Sequence, residues 1–170
     1  SKGIIICPPN LPDWKNIEIV KYFSDNLNIP TKLENDAKIP TYGTDFSAGC
    51  DLYACSKEKI SFNPGETKLI KTGIAMELPE GYAGLIYARS GLATKRGLAP
   101  ANKVGVVDSD YRGEIMVALH NHTNEVKEID AYERIAQLVV TPYIKAIFNE
   151  VDELNDTIRG TGGFGSTGKK

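Results

Sequence analysis

The stretch Gly105-Val106-Val107-Asp108-Ser109-Asp110-Tyr111-Arg112-Gly113-Glu114-Ile115 runs from apolar residues into an acidic turn and out again. β-Branched residues precede the turn, and after it apolar residues alternate with others from position 115 to 120. This pattern predicts a β-hairpin with Asp108 and Asp110 in its turn. Two interpretations stay open: a rigid turn that presents carboxylates for chemistry, or an Asx-type turn that bonds only nearby backbone amides.

The overall composition indicates one globular domain with two loose ends. The chain has 170 residues, 41% of them hydrophobic, which is enough for one buried core. The net charge of −2 provides no global field for nucleic acid or an anionic membrane, so neither is predicted as a partner. No apolar run approaches the length of a membrane span and no secretory signal is visible. We therefore expect a soluble intracellular protein, with cytoplasm and nucleus both left open.

The cysteines and histidines predict neither disulfides nor a transition-metal centre. Cys7, Cys50 and Cys55 are odd in number and lack metal or redox spacing, which is typical of reduced thiols. His120 and His122 would share one face of a strand and could make half of a metal site, but no third ligand lies nearby in the sequence.

The first 40 residues predict an extension and a linker. Residues 3–7 form a short apolar run that suits a strand at a sheet edge or against a neighbouring chain. Apolar residues at helical spacing follow Asp13, including Trp14, and Pro30 ends the pattern, so we expect an amphipathic helix capped by Asp13. The mostly polar stretch from Thr31 to Thr41 predicts a linker into the main body.

The main body, from about Asp45, predicts an all-β domain. Short β-rich runs separated by Gly, Pro and Asn occupy residues 49–54, 59–62, 67–78, 82–88, 104–107, 114–121, 125–129 and 133–141. This spacing favours an antiparallel sandwich or jelly roll over a βαβ arrangement.

One segment of the body departs from the β pattern. Residues 88–98 predict a short helical turn with Arg89 and Ser90 at its start, where a cation and backbone amides would suit an anionic oxygen. An ordinary surface loop is the alternative for this segment.

The chain ends in a glycine-rich arm from Arg159 to Lys170 that holds the hydroxyls of Ser166 and Thr167 and the lone aromatic Phe164. So many glycines predict a flexible segment whose amides can converge on phosphate, although a plain disordered tail remains the alternative. Residues 163–169 nearly match a P-loop. However, Lys170 replaces the required Ser or Thr, and no strand precedes the segment, so a P-loop nucleotide triphosphatase is rejected.

Taken together, these segments resemble the five motifs of the trimeric deoxyuridine triphosphatase (dUTPase) family. The motifs occur in family order as AGCDLYA at 48–54, ARSGLA at 88–93, the acidic turn at 105–114, ERIAQL at 133–138 and the arm at 159–168. The resemblance covers about residues 40 to 170. Cys50 stands where an apolar or aromatic residue is more usual, and Ala88 replaces a common Pro, but neither change removes a reacting group.

The resemblance implies an all-β jelly-roll domain of the β-clip type that forms a homotrimer with a short N-terminal helix. We expect an N-terminal extension at 1–36, the jelly-roll domain at 37–158 and a flexible arm at 159–170 that closes over a neighbouring active site. Each site would be shared, with motifs one, two and four from one subunit, three from a second and five from a third.

The implied reaction is hydrolysis of dUTP to dUMP and pyrophosphate, with Mg²⁺ as cofactor. This activity keeps uracil out of DNA and supplies dUMP for thymidylate synthesis. By resemblance, Asp108 is the general base that activates a water for attack on the α-phosphorus, and Asp51 is an outer-shell metal ligand that acts through water.

The resemblance also implies the residues that bind substrate. Arg89, Ser90 and Gln137 would hold the α- and β-phosphates, Arg159, Ser166 and Thr167 the γ-phosphate, and Phe164 would stack on uracil. The hairpin from Asn102 to Asp108 would read the uracil edge through its backbone, and Tyr111 would exclude a 2′-hydroxyl. The complete predicted set is Arg89, Ser90, Gly91, Asn102, Gly105, Val107, Tyr111, Gln137, Arg159, Phe164, Gly165, Ser166 and Thr167.

Two other functions compete with this one. A dCTP deaminase shares parts of these motifs, but the sequence shows no sign of its catalytic glutamate arrangement. A catalytically idle jelly-roll protein that binds a partner through its N-terminal segment is the second, and the intact Asp108, Arg159 and Phe164 count against it.

Overall fold

Alternating burial along short strands produces the body of the protein, as β12 illustrates. In this strand Val117, Leu119 and Asn121 are buried, while Met116 is exposed and Ala118 is half-buried. Side chains of successive strand residues point to opposite faces, so one face of β12 packs on the core and the other does not. The predicted alternation after the acidic turn is therefore confirmed.

The computed structural model describes residues 4–6, 15–18, 27–34 and 36–163. Its strands are β1 Ile4–Ile6, β2 Lys15–Glu18, β3 Thr31–Leu33, β4 Thr41–Tyr42, β5 Cys50–Tyr53, β6 Ile60–Phe62, β7 Thr67–Lys71, β8 Ile74–Met76, β9 Tyr82–Ala88, β10 Leu98–Pro100, β11 Gly105–Val107, β12 Met116–Asn121, β13 Lys127–Ile129 and β14 Arg134–Pro142. The helix α1 spans Ser90–Arg96. Within these ranges, no helix is long and apolar enough to cross a membrane.

The strands form two larger antiparallel sheets and three strand pairs. The five-stranded sheet has the order β11-β9-β14-β5-β4, and the three-stranded sheet has the order β10-β12-β7. The pairs are β13-β6, β3-β8 and β1-β2. Fully buried side chains from both larger sheets and from the β13-β6 and β3-β8 pairs meet in one core, among them Leu52, Phe62, Ile74 and Leu119. The predicted all-β, jelly-roll class is confirmed.

The predicted β-hairpin around the acidic turn is wrong. β11 pairs with β9 in the five-stranded sheet, whereas β12 pairs with β7 and β10 in the other sheet. The turn at 108–115 therefore carries the chain from one sheet to the other, and each flanking strand finds its partners among strands distant in sequence. Alternation fixed the strands correctly but could not identify their partners, because a hairpin and a crossing between sheets share the same local pattern.

The N-terminal prediction also needs correction. Lys15–Glu18 form a strand that pairs antiparallel with Ile4–Ile6, so the amphipathic helix is wrong over these residues, while the edge strand within 3–7 is confirmed. The other positions of the expected helix that precede Leu27, including Asp13 and Trp14, lie outside the described residues. The helical spacing of the apolar residues does not determine the structure at 15–18, because pairing with the β-rich residues Ile4–Ile6 satisfies the backbone hydrogen bonds there.

Three further strands were not predicted. One is Thr41–Tyr42, which pairs with β5. Thr31–Leu33, expected to be linker, pairs with β8 in the register Thr31↔Met76, and Leu98–Pro100 pairs with β12. Both segments are three residues long, too short for alternation to reveal. The short helical turn predicted at 88–98 is confirmed as α1, which ends at Gly97 in the left-handed conformation with φ 67°.

Candidate active site

The acidic turn begins with Asp108 directly after β11, at an edge of the five-stranded sheet. Asp108 is exposed, and its carbonyl accepts a hydrogen bond from the Tyr111 amide at 3.2 Å. The Tyr111 hydroxyl donates to the Glu114 carbonyl at 2.9 Å. That hydroxyl occupies the space that a Cβ at Gly113 would need, so a glycine is required for this ring position. The turn thus fixes its own backbone and leaves the Asp108 carboxylate open to solvent.

A cavity of about 270 Å³ lies beside the turn. Its lining consists of Leu69, Ile86, Asn102, Gly105, Val106, Val107, Asp108, Tyr111, Glu114, Ile115 and Met116. A Cβ at Gly105 would lie 3.3 Å from the Ile86 Cβ and 3.4 Å from the side-chain amide nitrogen of Asn102. Glycine at this position therefore allows close packing in the wall of the cavity. Five predicted substrate-site residues, namely Asn102, Gly105, Val107, Asp108 and Tyr111, therefore meet at one cavity.

A larger groove of about 1160 Å³ lies on the other side of the turn. Asp108 and Val106 line both the groove and the smaller cavity. The groove is bounded by Asn28 and Pro30 from before β3 and by Tyr143 and Lys145 from after β14. Asp108 therefore stands at the junction of the two depressions, where a ligand in either one can reach its carboxylate.

A second polar cluster surrounds Asp51 in β5. Its Oδ1 accepts a hydrogen bond from Arg89 Nε at 2.7 Å, and its Oδ2 accepts one from Arg134 Nη1 at 3.1 Å. The Asp51 side chain is only 11% exposed, whereas the two guanidinium groups are 24% and 49% exposed. Two cations around one carboxylate leave a net positive charge that faces solvent, which suits an anionic ligand.

Gln137 lies close to this cluster through strand register, and Ser90 does so because it directly follows Arg89. Gln137 of β14 pairs with Asp51 of β5 on one side and with Tyr87 of β9 on the other. A Cβ at Gly49 would meet the Gln137 side-chain oxygen at 3.1 Å, so a larger residue at 49 would displace Gln137. Ser90 and Gly91 are exposed at the first turn of α1, directly after Arg89. The predicted grouping of Asp51, Arg89 and Ser90 with Gln137 on one part of the surface fits this register.

The cysteine beside Asp51 belongs to the core. Cys50 is buried, and its Sγ lies 3.5 Å from the Leu138 carbonyl. Burial raises the pKa of the Cys50 thiol, so it stays protonated at neutral pH and packs as a small apolar side chain. This explains how the chain accommodates a cysteine where the resembling motif usually has an apolar or aromatic residue.

One chain does not bring Asp108 and Arg89 together. In the antiparallel pair of β9 and β11, Gly105 lies opposite Ile86 and Val107 lies opposite Gly84. Continuing this register places Asp108 opposite position 83, whereas Arg89 follows the other end of β9. At about 3.3 Å per residue, the six positions from 83 to 89 separate the two groups by roughly 20 Å. The acidic turn and the cationic cluster are therefore separate features of a single chain.

The C-terminal predictions lie partly outside the described residues. Arg159 is exposed, and its Nε donates to the Gly162 carbonyl at 2.8 Å. Phe164, Gly165, Ser166 and Thr167 lie outside the described residues. The preceding segment is described and exposes large apolar side chains, with Ile144, Ile147, Phe148 and Leu154 each more than 85% exposed.

Sequence reasoning gave no role to two arginines of this site. Arg134 is the second cation on Asp51, and Arg112 contacts the carbonyls of the acidic turn. Arg134 is 83 positions from Asp51 in the sequence, so no local pattern could pair them. A signal did exist for Arg134, because it lies three residues before Gln137 in the segment ERIAQL.

The fold and the two polar clusters define an all-β protein with an exposed carboxylate at one edge of the five-stranded sheet and a cationic cluster around its inner strands β5 and β14. The family model described as dUTPase matches residues 35–168, and the chain belongs to the dUTPase family.

Relatives and solved structures agree with this membership. The deoxyuridine 5'-triphosphate nucleotidohydrolase of Nautilia profundicola is 54% identical over 138 residues, which are 81% of this chain and 96% of that protein. The protein of the same name from Hahella chejuensis is 49% identical over 140 residues, which are 82% of this chain and 92% of that protein. The dUTPase of Staphylococcus bacteriophage 80alpha, solved with dUPNHPP, superposes with a TM-score of 0.75 at 28% identity, covering 82% of this chain and 98% of that one.

Proposed function

We propose that this chain hydrolyses dUTP to dUMP and pyrophosphate, with Asp108 as general base and Mg²⁺ as cofactor. Family membership supports the substrate. The single observation that carries the mechanism is the position of Asp108, exposed on a braced turn at the mouth of the 270 Å³ cavity. The reaction would limit the incorporation of uracil into DNA and supply dUMP for thymidylate synthesis.

In the proposed reaction Asp108 orients a water and accepts its proton. The water oxygen forms a bond to the α-phosphorus, and the bond from that phosphorus to the bridging oxygen breaks, so that pyrophosphate leaves in line. A carboxylate can act as base when it is fixed within hydrogen-bond reach of the water. The exposure of the Asp108 carboxylate on its turn supports this role, and charge stabilisation and positioning would supply the remaining catalysis.

The backbone of β11 is our candidate for reading uracil. β11 is an edge strand that pairs only with β9 among the described strands, so alternate residues present amides and carbonyls away from the sheet. Asn102, Gly105 and Val107 line the cavity beside it. Backbone groups of this kind pair with the polar edge of uracil and reject cytosine, whose donor pattern leaves them unpaired.

Tyr111 is proposed as the floor under the sugar. Its ring lines the same cavity, 43% exposed, and its hydroxyl is already engaged with the Glu114 carbonyl. Since the phenol proton is already donated to this carbonyl, it is not available for the substrate. The ring would therefore exclude a 2′-hydroxyl by its bulk.

The cationic cluster is proposed to bind the α- and β-phosphates. Arg89 is held on Asp51, with Ser90 and Gly91 beside it on α1 and Gln137 on the neighbouring strand. The anchored guanidinium loses little entropy on binding phosphate, because Asp51 has already fixed its orientation. Arg159, Ser166 and Thr167 are proposed for the γ-phosphate, with Phe164 stacking on uracil and Gly165 allowing the arm to approach closely.

The residues present fit a magnesium ion held mainly by phosphate and water. Among the described residues, no group of three His, Cys, Asp or Glu side chains is placed to hold a metal ion directly. Mg²⁺ usually keeps several waters and uses one or two carboxylates together with substrate phosphates. Each Asp51 oxygen accepts one guanidinium bond and keeps a lone pair for a metal-bound water. When bound, the ion would neutralise charge on the triphosphate and the leaving pyrophosphate.

We propose a homotrimer in which three chains share each active site. The separation of roughly 20 Å between Asp108 and Arg89 supports this assembly, since a nucleotide spanning base to phosphates needs both groups close together. Exposed apolar side chains from Ile144 to Ile158 support it as well, because such a stripe is covered by a partner in stable assemblies. We retain the division into an extension at 1–36, a domain at 37–158 and an arm at 159–170 as part of this proposal.

Pyrophosphate release from dUTP, dTTP, dCTP and UTP with Mg²⁺, measured side by side, tests the proposed function. We expect turnover of dUTP alone at substantial rates, and loss of turnover when the metal is chelated. Equal turnover of all four nucleotides, or of none, contradicts the proposal. Ammonia release from dCTP would indicate a deaminase instead.

A further inference from the structure

Arg112 makes three contacts that tie the acidic turn to the body of the protein. Its Nη1 donates to the Ser109 carbonyl at 2.6 Å and to the Tyr111 carbonyl at 3.0 Å. Its Nη2 lies 3.3 Å from Glu77 Oε1. One planar guanidinium thus bridges two carbonyls of the turn and a carboxylate from the segment after β8.

These contacts fix the conformation of the turn more than they stabilise the fold. Arg112 and Glu77 are 52% and 59% exposed, and an ion pair at such exposure contributes little to stability. The two carbonyl contacts hold the chain directly after Asp108 and around Tyr111 in one conformation. The backbone of Glu77 is anchored, because its amide donates to the Pro30 carbonyl at 2.9 Å.

The far end of the turn has separate anchors. Glu114 Oε1 accepts a hydrogen bond from the Gly73 amide at 2.9 Å, and its Oε2 lies 3.1 Å from Lys71 Nζ. The Ile115 amide donates to the Ile74 carbonyl at 2.7 Å. The turn is therefore well fixed from Glu114 onward, whereas its tip between Asp108 and Arg112 is held by the bond from the Tyr111 amide to the Asp108 carbonyl and by the guanidinium.

We propose that Arg112 is a positioning residue that holds Asp108 in its productive place. This inference rests on the proposed function, in which Asp108 is the base. A displacement of about 1 Å at a reacting group can cost roughly 100-fold in rate. Arg112 touches no reacting atom in this scheme, and its effect passes through the backbone of the turn.

The central experiment compares Arg112→Ala with the parent chain. We expect kcat for dUTP to fall about 10- to 100-fold, with KM within about threefold, because phosphate and uracil contacts stay in place while the base is misplaced. The assembly mass and the melting temperature should stay close to those of the parent, since Arg112 is half exposed and lies outside the core.

Matched variants separate geometry from charge. Arg112→Lys keeps the charge but loses the planar fork, so it should recover only part of kcat. Lys32→Gln removes a cation that lines a third depression, of about 420 Å³, together with Arg112, and it should leave kcat unchanged. Glu77→Gln keeps both carbonyl contacts of Arg112 and should remain within about threefold of the parent.

Two further measurements distinguish positioning from general loss of structure. Added guanidinium ion at low concentration should restore part of the activity of Arg112→Ala but none to Asp108→Asn. Amide exchange of residues 109–113 should quicken in Arg112→Ala, with other segments unchanged.

The possible failures have different signatures. If Arg112→Ala keeps kcat within threefold while Asp108→Asn is inactive, the positioning role is wrong and the proposed function stands. The positioning role is equally wrong if Lys32→Gln lowers kcat as much as Arg112→Ala, because the effect would then be one of charge. A parent chain that releases no pyrophosphate from dUTP overturns the proposed function, and with it the role of Arg112.

Discussion

Asp51 lies in the five-stranded sheet and Asp108 directly follows one of its strands, yet their surroundings differ in almost every respect. Asp51 lies within β5 with its side chain 11% exposed, and both of its oxygens accept bonds from guanidinium groups. Asp108 follows the edge strand β11 and is exposed, and the contacts of its turn are made mainly to backbone carbonyls. One carboxylate is fixed by side-chain partners and the other by the conformation of the chain.

This difference indicates which carboxylate can perform which task. The negative charge of Asp51 is balanced by the two arginines that it contacts. It can therefore orient these arginines and accept water-mediated contacts without moving. Asp108 keeps its oxygens open to water, as a general base requires. Identical residue types thus acquire an orienting role and a proposed chemical role from their environments. The predictions that follow test this contrast.

Replacing Asp108 by Asn should produce the largest effect. The amide keeps the size of the side chain but cannot accept the proton, so kcat should fall by at least the roughly 100-fold that a positioned base contributes. Pyrophosphate release measures this loss, and calorimetric binding of a non-hydrolysable analogue should be nearly unchanged. Asp110→Asn in the same exposed turn is the matched control and should retain parental turnover. Parental turnover in Asp108→Asn would mean that the base is elsewhere.

Deleting residues 159–170 should have the next largest effect. The deletion removes one guanidinium, three hydroxyls and the Phe164 ring, and polar contacts are worth about 1.5–3 kcal/mol each when charged. We expect kcat to fall roughly 10- to 100-fold, with the oligomeric state and the melting temperature retained, since residues 159–163, the described part of the arm, are not in the buried core.

Mixing the deletion variant with Asp108→Asn subunits sharpens this test. In the proposed trimer, a mixed assembly can build a site with one intact arm and one intact base, so some activity should return. Zero recovery in trimers shown by mass to be mixed would place the arm and the base in the same chain.

Replacing Asp51 by Asn should affect stability more than any substitution at the acidic turn. The change leaves Arg89 and Arg134 close together without their shared carboxylate. Because both guanidinium groups are partly exposed, we expect a loss of about 1–2 kcal/mol, well below the cost for a fully buried pair. For a chain of this length this is a fall in Tm of about 2–8 °C, measured by thermal melting. Asp108→Asn should melt with the parent, and equal destabilisation by both substitutions would contradict the contrast.

The sequence predicted the strands of the body well because their signal is local. The strands β5 to β9 and β11 to β14 lie within or within one residue of the predicted β-rich runs, which Gly, Pro and Asn interrupt. Partners were not predictable in the same way. The alternation around Asp108 is equally consistent with a hairpin and with a crossing between sheets, and only the packing of β12 against β7 and β10 decides between them.

The same distinction between local and long-range signals applies to the residues of the candidate site. Asp108, Tyr111 and Arg89 were identifiable because they belong to short motifs that resemble a known family. Arg112 and Arg134 were given no role, because their parts depend on contacts to a carbonyl or a carboxylate that the linear pattern does not encode. Long-range side-chain geometry, such as the 83-residue separation of Arg134 and Asp51, is set by the sheet register.

The smallest expected effect, at Tyr111, tests whether the turn also selects the sugar. The ring lines the cavity, its hydroxyl is bonded to the Glu114 carbonyl, and Gly113 leaves room for it. Tyr111→Ala removes the proposed floor, so the preference for dUTP over UTP, measured as a ratio of kcat/KM values, should fall about tenfold, which corresponds to roughly 1.4 kcal/mol. Tyr111→Phe keeps the ring and loses one neutral hydrogen bond, worth about 1 kcal/mol or less at this exposure, so it should keep most of the preference. Because the ring acts by bulk, kcat for dUTP should change less in Tyr111→Ala than in Asp108→Asn. A preference that drops equally in the Phe and Ala variants would assign the selection to the hydroxyl, and one that is unchanged in both would place the sugar against another wall of the cavity.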